Sequence, residues 1–165
     1  MILEPVRAFV GMGGNVGDVE NTIMEALWAM DSLPQTSIRA QSMLYRSPPW
    51  GRTDQAPFIN AVVELQTRLA ARVLLDYLLE VETRFGRVRS QGEKWGPRTL
   101  DLDLLNFGDA VLDQPGMHLP HPHLHERAFV LVPLAEIAPK LEIPGRGRVS
   151  DLLALIDASG IEAIE

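Results

Sequence analysis

The sequence of 165 residues contains no cysteine, which excludes disulfide bonds, thiolate nucleophiles and cysteine-ligated zinc. It also contains no apolar run long enough to span a membrane and no internal repeat. The first residues include Glu4 and Pro5 and lack the basic start and apolar core of a signal peptide. We therefore expect a cytoplasmic protein that does not interact with membranes.

Positive charge is scarce, because 15 basic residues stand against 22 acidic ones and the formal net charge is −7. Nucleic-acid binding usually requires a basic surface, so this balance argues against it. Several basic residues are nevertheless concentrated between positions 84 and 98, where Glu93 is the one acidic residue. Such a patch suits a small, highly charged anion such as a nucleotide triphosphate, and a solvated arginine-rich loop explains it equally well.

Two common catalytic motifs are missing from the chain. No Gly-Lys dipeptide occurs, which excludes a Walker A loop, and no serine stands in a Gly-x-Ser-x-Gly elbow. The glycine-rich stretch 11–17 departs from the dinucleotide-binding spacing because Val16 replaces a glycine, which favours a tight strand-to-helix turn. With no obvious nucleophile, the remaining carboxylates and arginines suit metal-assisted phosphoryl transfer.

The hydrophobic pattern predicts the order β-α-β-β-α-β over residues 6–107. The predicted strands are 6–12, about 37–45, 58–67 and the segment ending at about 107, and the predicted helices run from the Asp18 cap to about Asp31 and over 71–85, before a Gly86 cap. This order is typical of ferredoxin-like α+β sandwiches, in which both helices cover one face of an antiparallel sheet and leave the other face available.

The remaining residues form a C-terminal extension of this sandwich. They predict a hairpin over 108–119, a loop rich in proline and histidine over 120–127, an apolar segment that turns helical over 128–137, a helix over about 151–158 capped by Ser150, and a frayed end. We expect residues 1–165 to form one catalytic domain.

The stretch 95–105 contains two aspartates, Asp101 and Asp103, on alternate positions of a predicted strand. Their carboxylates would share one face, roughly 7 Å apart along the strand, while the neighbouring leucines face the other way. A solvated strand face explains such a pair on its own. Strand parity, however, places Phe58 and Asn60 on the same face, where a ring and an amide could recognise a heterocycle.

Four histidines, His118, His121, His123 and His125, lie within eight residues and raise the possibility of a zinc site. The prolines around them and the lack of cysteine disfavour a closed tetrahedral site. Donation to a phosphate by one or two of these histidines is the preferred interpretation, with Arg127 close behind them in the chain.

Motifs across nearly the whole chain resemble the 6-hydroxymethyl-7,8-dihydropterin pyrophosphokinase family. The segments that carry the resemblance are Gly13-Gly14-Asn15, Ser47-Pro48-Pro49, Phe58-Ile59-Asn60-Ala61, Gly86-Arg87-Val88-Arg89, Trp95-Gly96-Pro97-Arg98-Thr99-Leu100-Asp101-Leu102-Asp103 and Pro120-His121. The resemblance implies a ferredoxin-like fold and transfer of pyrophosphate from ATP to a pterin hydroxymethyl group, releasing AMP, in folate biosynthesis. It also implies that Asp101 and Asp103 hold two Mg²⁺ ions that bridge the ATP phosphates.

The same resemblance assigns roles to the other matched positions. Arg87 and Arg98 would be catalytic together with the two aspartates. The residues implied for ATP binding are Glu82, Arg87, Arg89, Trp95, Arg98, His121 and Arg127. Those implied for the pterin pocket are Gly13, Asn15, Ser47, Pro48, Pro49, Trp50, Phe58, Asn60, Trp95 and Phe129, with the pterin ring between Phe58 and Phe129. We expect a monomer whose partners are ATP and hydroxymethyldihydropterin.

Two other hypotheses remain open at this point. The histidine run and the basic patch are compatible with a nucleotide- or metal-binding module that lacks enzymatic activity. RNA binding on an open ferredoxin-like sheet is the weakest alternative, because the aromatic pattern of RNA-binding sheets is missing and the net charge opposes it.

Overall fold

Strand β1, Val6–Gly14, lies between two antiparallel neighbours in the main sheet. The computed structural model describes residues 4–48, 56–85 and 99–164. The predicted Gly86 cap and the predicted site residues Pro49, Trp50, Arg87, Arg89, Trp95 and Arg98 lie outside these ranges.

Within the described residues, six strands form the main sheet. In chain order the first five are β1, β2 (Thr36–Gln41), β3 (Leu44–Ser47), β4 (Phe58–Thr67) and β5 (Asp101–Phe107). β1 pairs with β4 on one side and with β5 on the other, and both β2 and β3 pair with β4. The predicted alternation of strands and helices over residues 6–107 is thereby confirmed.

Helix α1, Val19–Asp31, begins after Asp18, whose Oδ1 accepts the Asn21 backbone N–H at 3.2 Å, as predicted. Helix α2, Ala71–Arg84, ends one residue before the predicted position. Both helices pack on one face of the sheet, where Leu100, Leu102 and Leu104 join their buried side chains in a single apolar cluster. The ferredoxin-like βαββαβ sandwich is therefore present.

The C-terminal extension packs on the opposite face of the sheet. Its helices are α3, Ala128–Ile137, and α4, Val149–Ala154. Their buried residues form a second cluster with Phe9, Val62 and Leu105. The expectation that this face is left available is therefore wrong over the area that α3 and α4 cover.

The predicted strand 37–45 is divided into β2 and β3 by Ser42 and Met43. The buried Ser42 donates its backbone N–H to the Val62 carbonyl, and its Oγ accepts the Val62 N–H, both at 2.9 Å. A side-chain oxygen thus replaces a backbone acceptor, so that pairing with β4 continues across the break.

Other parts of the extension differ in detail from the prediction. The predicted hairpin consists of β6 (Leu112–Gln114) and β7 (Met117–Leu119), and a short 3₁₀ helix spans Leu124–Glu126. Helix α4 starts before Ser150, so the predicted cap is wrong. A second hairpin, β8 (Glu142–Ile143) with β9 (Gly147–Arg148), was not predicted. The chain end pairs as β10, Glu162–Ile164, with β3 instead of fraying. Within the described ranges, none of the helices has the length and apolarity needed to cross a bilayer.

Candidate functional site

The predicted polar surface lies on the sheet face that carries α3 and α4. The strand register places Asn60 of β4 opposite Gly13 of β1, and Gly13 opposite Asp101 of β5. Because directly paired residues project to the same face, the Asn60 amide and the Asp101 carboxylate share this surface. Asp103 and Phe58 lie two residues away on their strands and project to it as well.

Gly13 allows the Asn60 side chain to lie against β1. A Cβ atom at position 13 would be 2.2 Å from Asn60 Oδ1, a separation that no side chain tolerates. The Asn60 Nδ2 atom donates a long hydrogen bond, 3.5 Å, to Oγ of Ser47, which is buried and stands at the end of β3. The predicted pterin residues Gly13, Ser47 and Asn60 therefore form one connected group.

Asp101 and Asp103 are partly exposed, whereas Leu102 between them is buried in the core. Asp101 pairs with Gly13 of β1, and Asp103 pairs with Gly11. Because glycine has no side chain, none on β1 stands between the carboxylates and the centre of the face. Carboxylate oxygens are the protein ligands that Mg²⁺ prefers, and one or two of them suffice when phosphates and water complete its shell. The donor set therefore fits Mg²⁺ bound together with a polyphosphate.

Glu82 of α2 is buried directly behind this pair of carboxylates. Its side chain is 3% exposed, and Oε2 accepts the backbone N–H of Leu102 at 2.7 Å. Because Leu102 separates Asp101 from Asp103, this hydrogen bond fixes the strand at the point where both aspartates project. The predicted contact between Glu82 and ATP stays a prediction.

His121 is held in a defined orientation near the aspartates. Its backbone N–H donates to the Leu105 carbonyl at 2.8 Å, and its Nδ1 accepts the His123 backbone N–H at 3.2 Å. A neutral ring bonded in this way carries its proton on Nε2. Burial lowers the pKa of His121, the charge of Asp103 opposes this effect, and Arg127 adds to it. The predicted contact between His121 and a phosphate stays a prediction.

Arg127, a predicted phosphate contact, lies next to Phe129, a predicted pterin contact. Arg127 precedes α3, and its guanidinium carbon lies 5.6 Å from the centroid of the Phe129 ring, within the range of a cation–π contact. Phe129 is in the first turn of α3, and its predicted contact with the pterin stays a prediction.

The remaining histidines have local carboxylate partners. His118 Nδ1 lies 2.5 Å from Asp113, and His123 and His125 each lie 3.4 Å from Glu126. Across residues 4–48, 56–85 and 99–164, no three His, Asp or Glu side chains are grouped so that they could hold a metal ion. The zinc interpretation of the histidine run therefore gains no support.

Asn15 connects the glycine turn to the residues before β4. The Asn15 side chain is buried, and its Nδ2 donates to the Ala56 carbonyl at 3.0 Å. Pro48 follows β3 and packs against Gly160. A Cβ atom added to Gly160 would lie 3.5 Å from Pro48 Cδ, which is an ordinary van der Waals distance. The predicted contacts of both residues with a pterin stay predictions.

Tyr45 and Glu136 are two further residues near the site that the sequence did not predict. Tyr45 pairs with Asn60 across β3 and β4, so its ring lies on the site face, and its hydroxyl donates to Glu136 Oε1 at 2.6 Å. Strand parity from Ser47 would have identified Tyr45. The involvement of Glu136 has no local signal, because 91 residues separate it from Tyr45.

Two bacterial enzymes are similar in sequence to this chain over most of its length. It is 46% identical over 158 residues to a 2-amino-4-hydroxy-6-hydroxymethyldihydropteridine pyrophosphokinase of Pseudomonas aeruginosa, with 96% of each chain covered. It is 45% identical over 159 residues to a protein of the same name from Methylorubrum extorquens, covering 96% of this chain and 99% of that protein.

The fold also matches solved structures. A crystal structure of Plasmodium falciparum HPPK-DHPS aligns with a TM-score of 0.76 at 12% identity, over 98% of this chain and 49% of that chain. The present chain thus spans about half the length of this solved chain, and the likeness concerns the fold.

A model of the family described as 7,8-dihydro-6-hydroxymethylpterin-pyrophosphokinase (HPPK) matches residues 9–139. This match includes β1 from Phe9 onward, the helices α1, α2 and α3, and the aspartate strand β5. The chain is an enzyme and belongs to the 7,8-dihydro-6-hydroxymethylpterin-pyrophosphokinase family.

Proposed function

We propose that the protein transfers pyrophosphate from ATP to the hydroxymethyl group of 6-hydroxymethyl-7,8-dihydropterin, giving AMP and the pterin diphosphate, as a step of folate biosynthesis. The observation that carries this proposal is the row Asn60–Gly13–Asp101, which places an amide and a carboxylate on one face of three adjacent strands. A heterocycle and a metal-bound polyphosphate can therefore occupy neighbouring positions.

The pterin side of the site consists of two rings and an amide. Phe58 of β4 and Phe129 of α3 would stack on the two faces of the pterin, and Asn60 has the donors and acceptor that its polar edge requires. Ser47 supports Asn60, and Gly13 leaves room for it. Pro49, Trp50 and Trp95, outside the described residues, and Pro48 and Asn15 would complete the pocket.

The phosphate side depends on charge and hydrogen bonds. Asp101 and Asp103 would hold two Mg²⁺ ions together with the ATP phosphates. Bound Mg²⁺ supplies charge neutralisation at the phosphates and activation of the pterin hydroxyl. The His121 Nε2–H would donate to a phosphate oxygen, and the Arg127 guanidinium would form a charge-assisted hydrogen bond there. Arg87, Arg89 and Arg98, which precede β5, would add further positive charge, and Glu82 is the remaining predicted ATP contact.

In the reaction, the pterin hydroxyl oxygen would attack the β-phosphorus and lose its proton to solvent, the bond from that phosphorus to the oxygen of AMP would break, and AMP would leave with the bonding electron pair. The protein contributes chiefly by aligning the two substrates, as is general for phosphoryl transfer. The proposal includes one catalytic domain that acts as a monomer in the cytoplasm. Sedimentation of the purified protein tests the monomer.

The deciding experiment incubates the purified protein with ATP, Mg²⁺ and 6-hydroxymethyl-7,8-dihydropterin and measures AMP by chromatography. We expect AMP and the pterin diphosphate in equal amounts, and no AMP when either the pterin or Mg²⁺ is omitted. Binding of ATP without AMP formation would instead favour the binding module considered from the sequence. AMP formation that is independent of Mg²⁺ would contradict the role of the two aspartates.

A further inference from the structure

Glu136 connects α3 to the segment between β2 and β3. Its Oε1 accepts the Tyr45 hydroxyl at 2.6 Å and the Met43 backbone N–H at 3.0 Å, and its Oε2 lies 3.3 Å from the same N–H. Hydrogen bonds to a carboxylate are stronger than neutral ones. We call Glu136, Tyr45 and the Met43 backbone N–H the Glu136 clamp.

The clamp joins the two walls of the proposed pterin pocket. On the sheet side, Tyr45 is the direct cross-strand partner of Asn60. On the helix side, Phe129 precedes Glu136 by seven residues, which is two helical turns, so both side chains lie on the same side of α3, roughly 10 Å apart along its axis. One end of the helix therefore carries the stacking ring, and the other end is tied to the strand beside the amide.

A planar ring stacked between two others requires a gap of fixed width. Contact distances between carbon atoms are about 3.5–4.0 Å, so the two outer rings must stand about 7–8 Å apart. The distance between α3 and the sheet determines this width, because Phe58 is on β4 and Phe129 is on α3. Leu131 and Leu134 anchor the middle of the helix in the core, and Glu136 bonds its far end to Tyr45 and to the Met43 backbone.

We propose that the Glu136 clamp is a positioning element that sets the separation and orientation of the two walls of the pterin pocket, and thereby determines affinity for the pterin more than affinity for ATP. This inference rests on the proposed function. Three described phosphate-side residues, Asp101, Asp103 and His121, come from β5 and the segment after β7, which the clamp does not touch. Arg127 precedes α3 at the end of the helix that lies away from Glu136.

The test uses Tyr45→Phe, Glu136→Gln and the double variant of the full chain. Tyr45→Phe keeps the ring and removes only the hydroxyl, and Glu136→Gln keeps the size and removes the charge. The matched control is Glu142→Gln, which alters another exposed carboxylate hydrogen bond, to Arg148 at 3.4 Å in the β8–β9 hairpin. Binding is measured by fluorescence with 6-hydroxymethylpterin and by calorimetry with a non-hydrolysable ATP analogue, and KM is measured for both substrates.

We expect each clamp variant to weaken pterin binding about three- to tenfold, because it loses one or two hydrogen bonds with a net value of about 1 kcal/mol. The dissociation constant for the ATP analogue should change less than about twofold. The double variant should lose less than the product of the single effects, since both remove one interaction. Glu142→Gln should leave both affinities unchanged.

Equal weakening of both ligands, or unchanged pterin affinity in Tyr45→Phe and Glu136→Gln, would overturn the inference, even if the melting temperature fell. A wild-type protein that forms AMP while the clamp variants match it in pterin affinity would refute the clamp alone. A wild-type protein that neither binds the pterin nor forms AMP would refute the proposed function, and the clamp's role with it.

Discussion

The two faces of the main sheet are made by the same strands and differ completely in what they carry. On the face under α1 and α2, the central alternate residues of β1, β4 and β5, such as Val10, Val63 and Leu102, are apolar and buried. On the other face, the apolar residues Phe9, Val62 and Leu105 lie under α3 and α4, and the next positions along the same strands are Gly11, Asn60 and Asp103. One face stabilises the fold, and the other changes from core to candidate site within two residues.

This difference shows how the fold tolerates two carboxylates in a central position. The buried leucines that alternate with Asp101 and Asp103 anchor β5 from the opposite face, so the aspartates do not have to contribute to the core. Substitutions on the two faces of β5 should therefore have separable effects, on stability in one case and on activity in the other.

Asp103→Asn should have the largest effect on activity. The amide keeps the size of the side chain and removes the charge that would hold Mg²⁺, so we expect kcat to fall by about 10³-fold, the order of several kcal/mol that metal-ion catalysis supplies. The melting temperature should change little, because Asp103 is partly exposed. AMP formation and thermal denaturation measure the two effects, and activity within a few-fold of wild type would contradict the assignment.

Leu102→Ala, next to Asp103 in the chain, should reduce stability strongly and activity only weakly. Leu102 is 2% exposed, and truncating a buried leucine typically costs about 2–5 kcal/mol of unfolding free energy. Urea denaturation measures this loss. At a temperature where the variant is folded, kcat should stay closer to wild type than that of Asp103→Asn. A stable Leu102→Ala protein would show that the two faces are not divided as described.

Gly13→Ala tests the site face at the position between Asn60 and Asp101. The added Cβ would lie 2.2 Å from Asn60 Oδ1, so the amide must move and pterin affinity should fall by about tenfold, the value of one displaced hydrogen-bonding group. Gly11→Ala is the matched control on the same strand and face, because its Cβ would meet only the flexible Leu105 side chain, at 3.5 Å. Equal pterin affinities in the two variants, measured by fluorescence, would argue against a role for Asn60.

The smallest expected effect is a change in stability with pH that depends on Tyr45, at the edge of the site face. Burial and then the hydrogen bond and charge of Glu136 raise the pKa of Tyr45 to about 12. Because the folded state favours the neutral phenol, this contribution to stability is complete below pH 10 and is lost as the pH rises towards 12. Absorbance titration in a Tyr77→Phe background should show the raised pKa, and Glu136→Gln should lower it. An unchanged titration would contradict the hydrogen bond.

The repeating part of this architecture could be predicted from sequence, because periodicity is a local property. Alternation in 58–65 and 100–104 placed Phe58, Asn60, Asp101 and Asp103 on one face, and the register of β1 confirms this arrangement. The break between β2 and β3 could not be predicted, since the hydrogen bonds of Ser42 with Val62 leave no trace in hydrophobic periodicity.

Features that depend on distant pairing were also missed. The apolar composition of 128–137 indicates burial and does not indicate against which face of the sheet the segment packs. For the same reason the pairing of β10 with β3 and the contact between Tyr45 and Glu136 have no local signal. The contributions predicted for Arg87, Arg98 and Trp95 remain predictions.

The contact between Glu82 and Leu102 has a consequence for solubility. Among the described strands, β5 is the last of the sheet on its side, and the N–H groups of such an edge can recruit a strand from another molecule. The Glu82 carboxylate occupies one of these N–H groups, and its negative charge and the helix behind it oppose the approach of a foreign strand. We therefore expect the residue that fixes the aspartate strand also to disfavour aggregation through this edge of the described sheet.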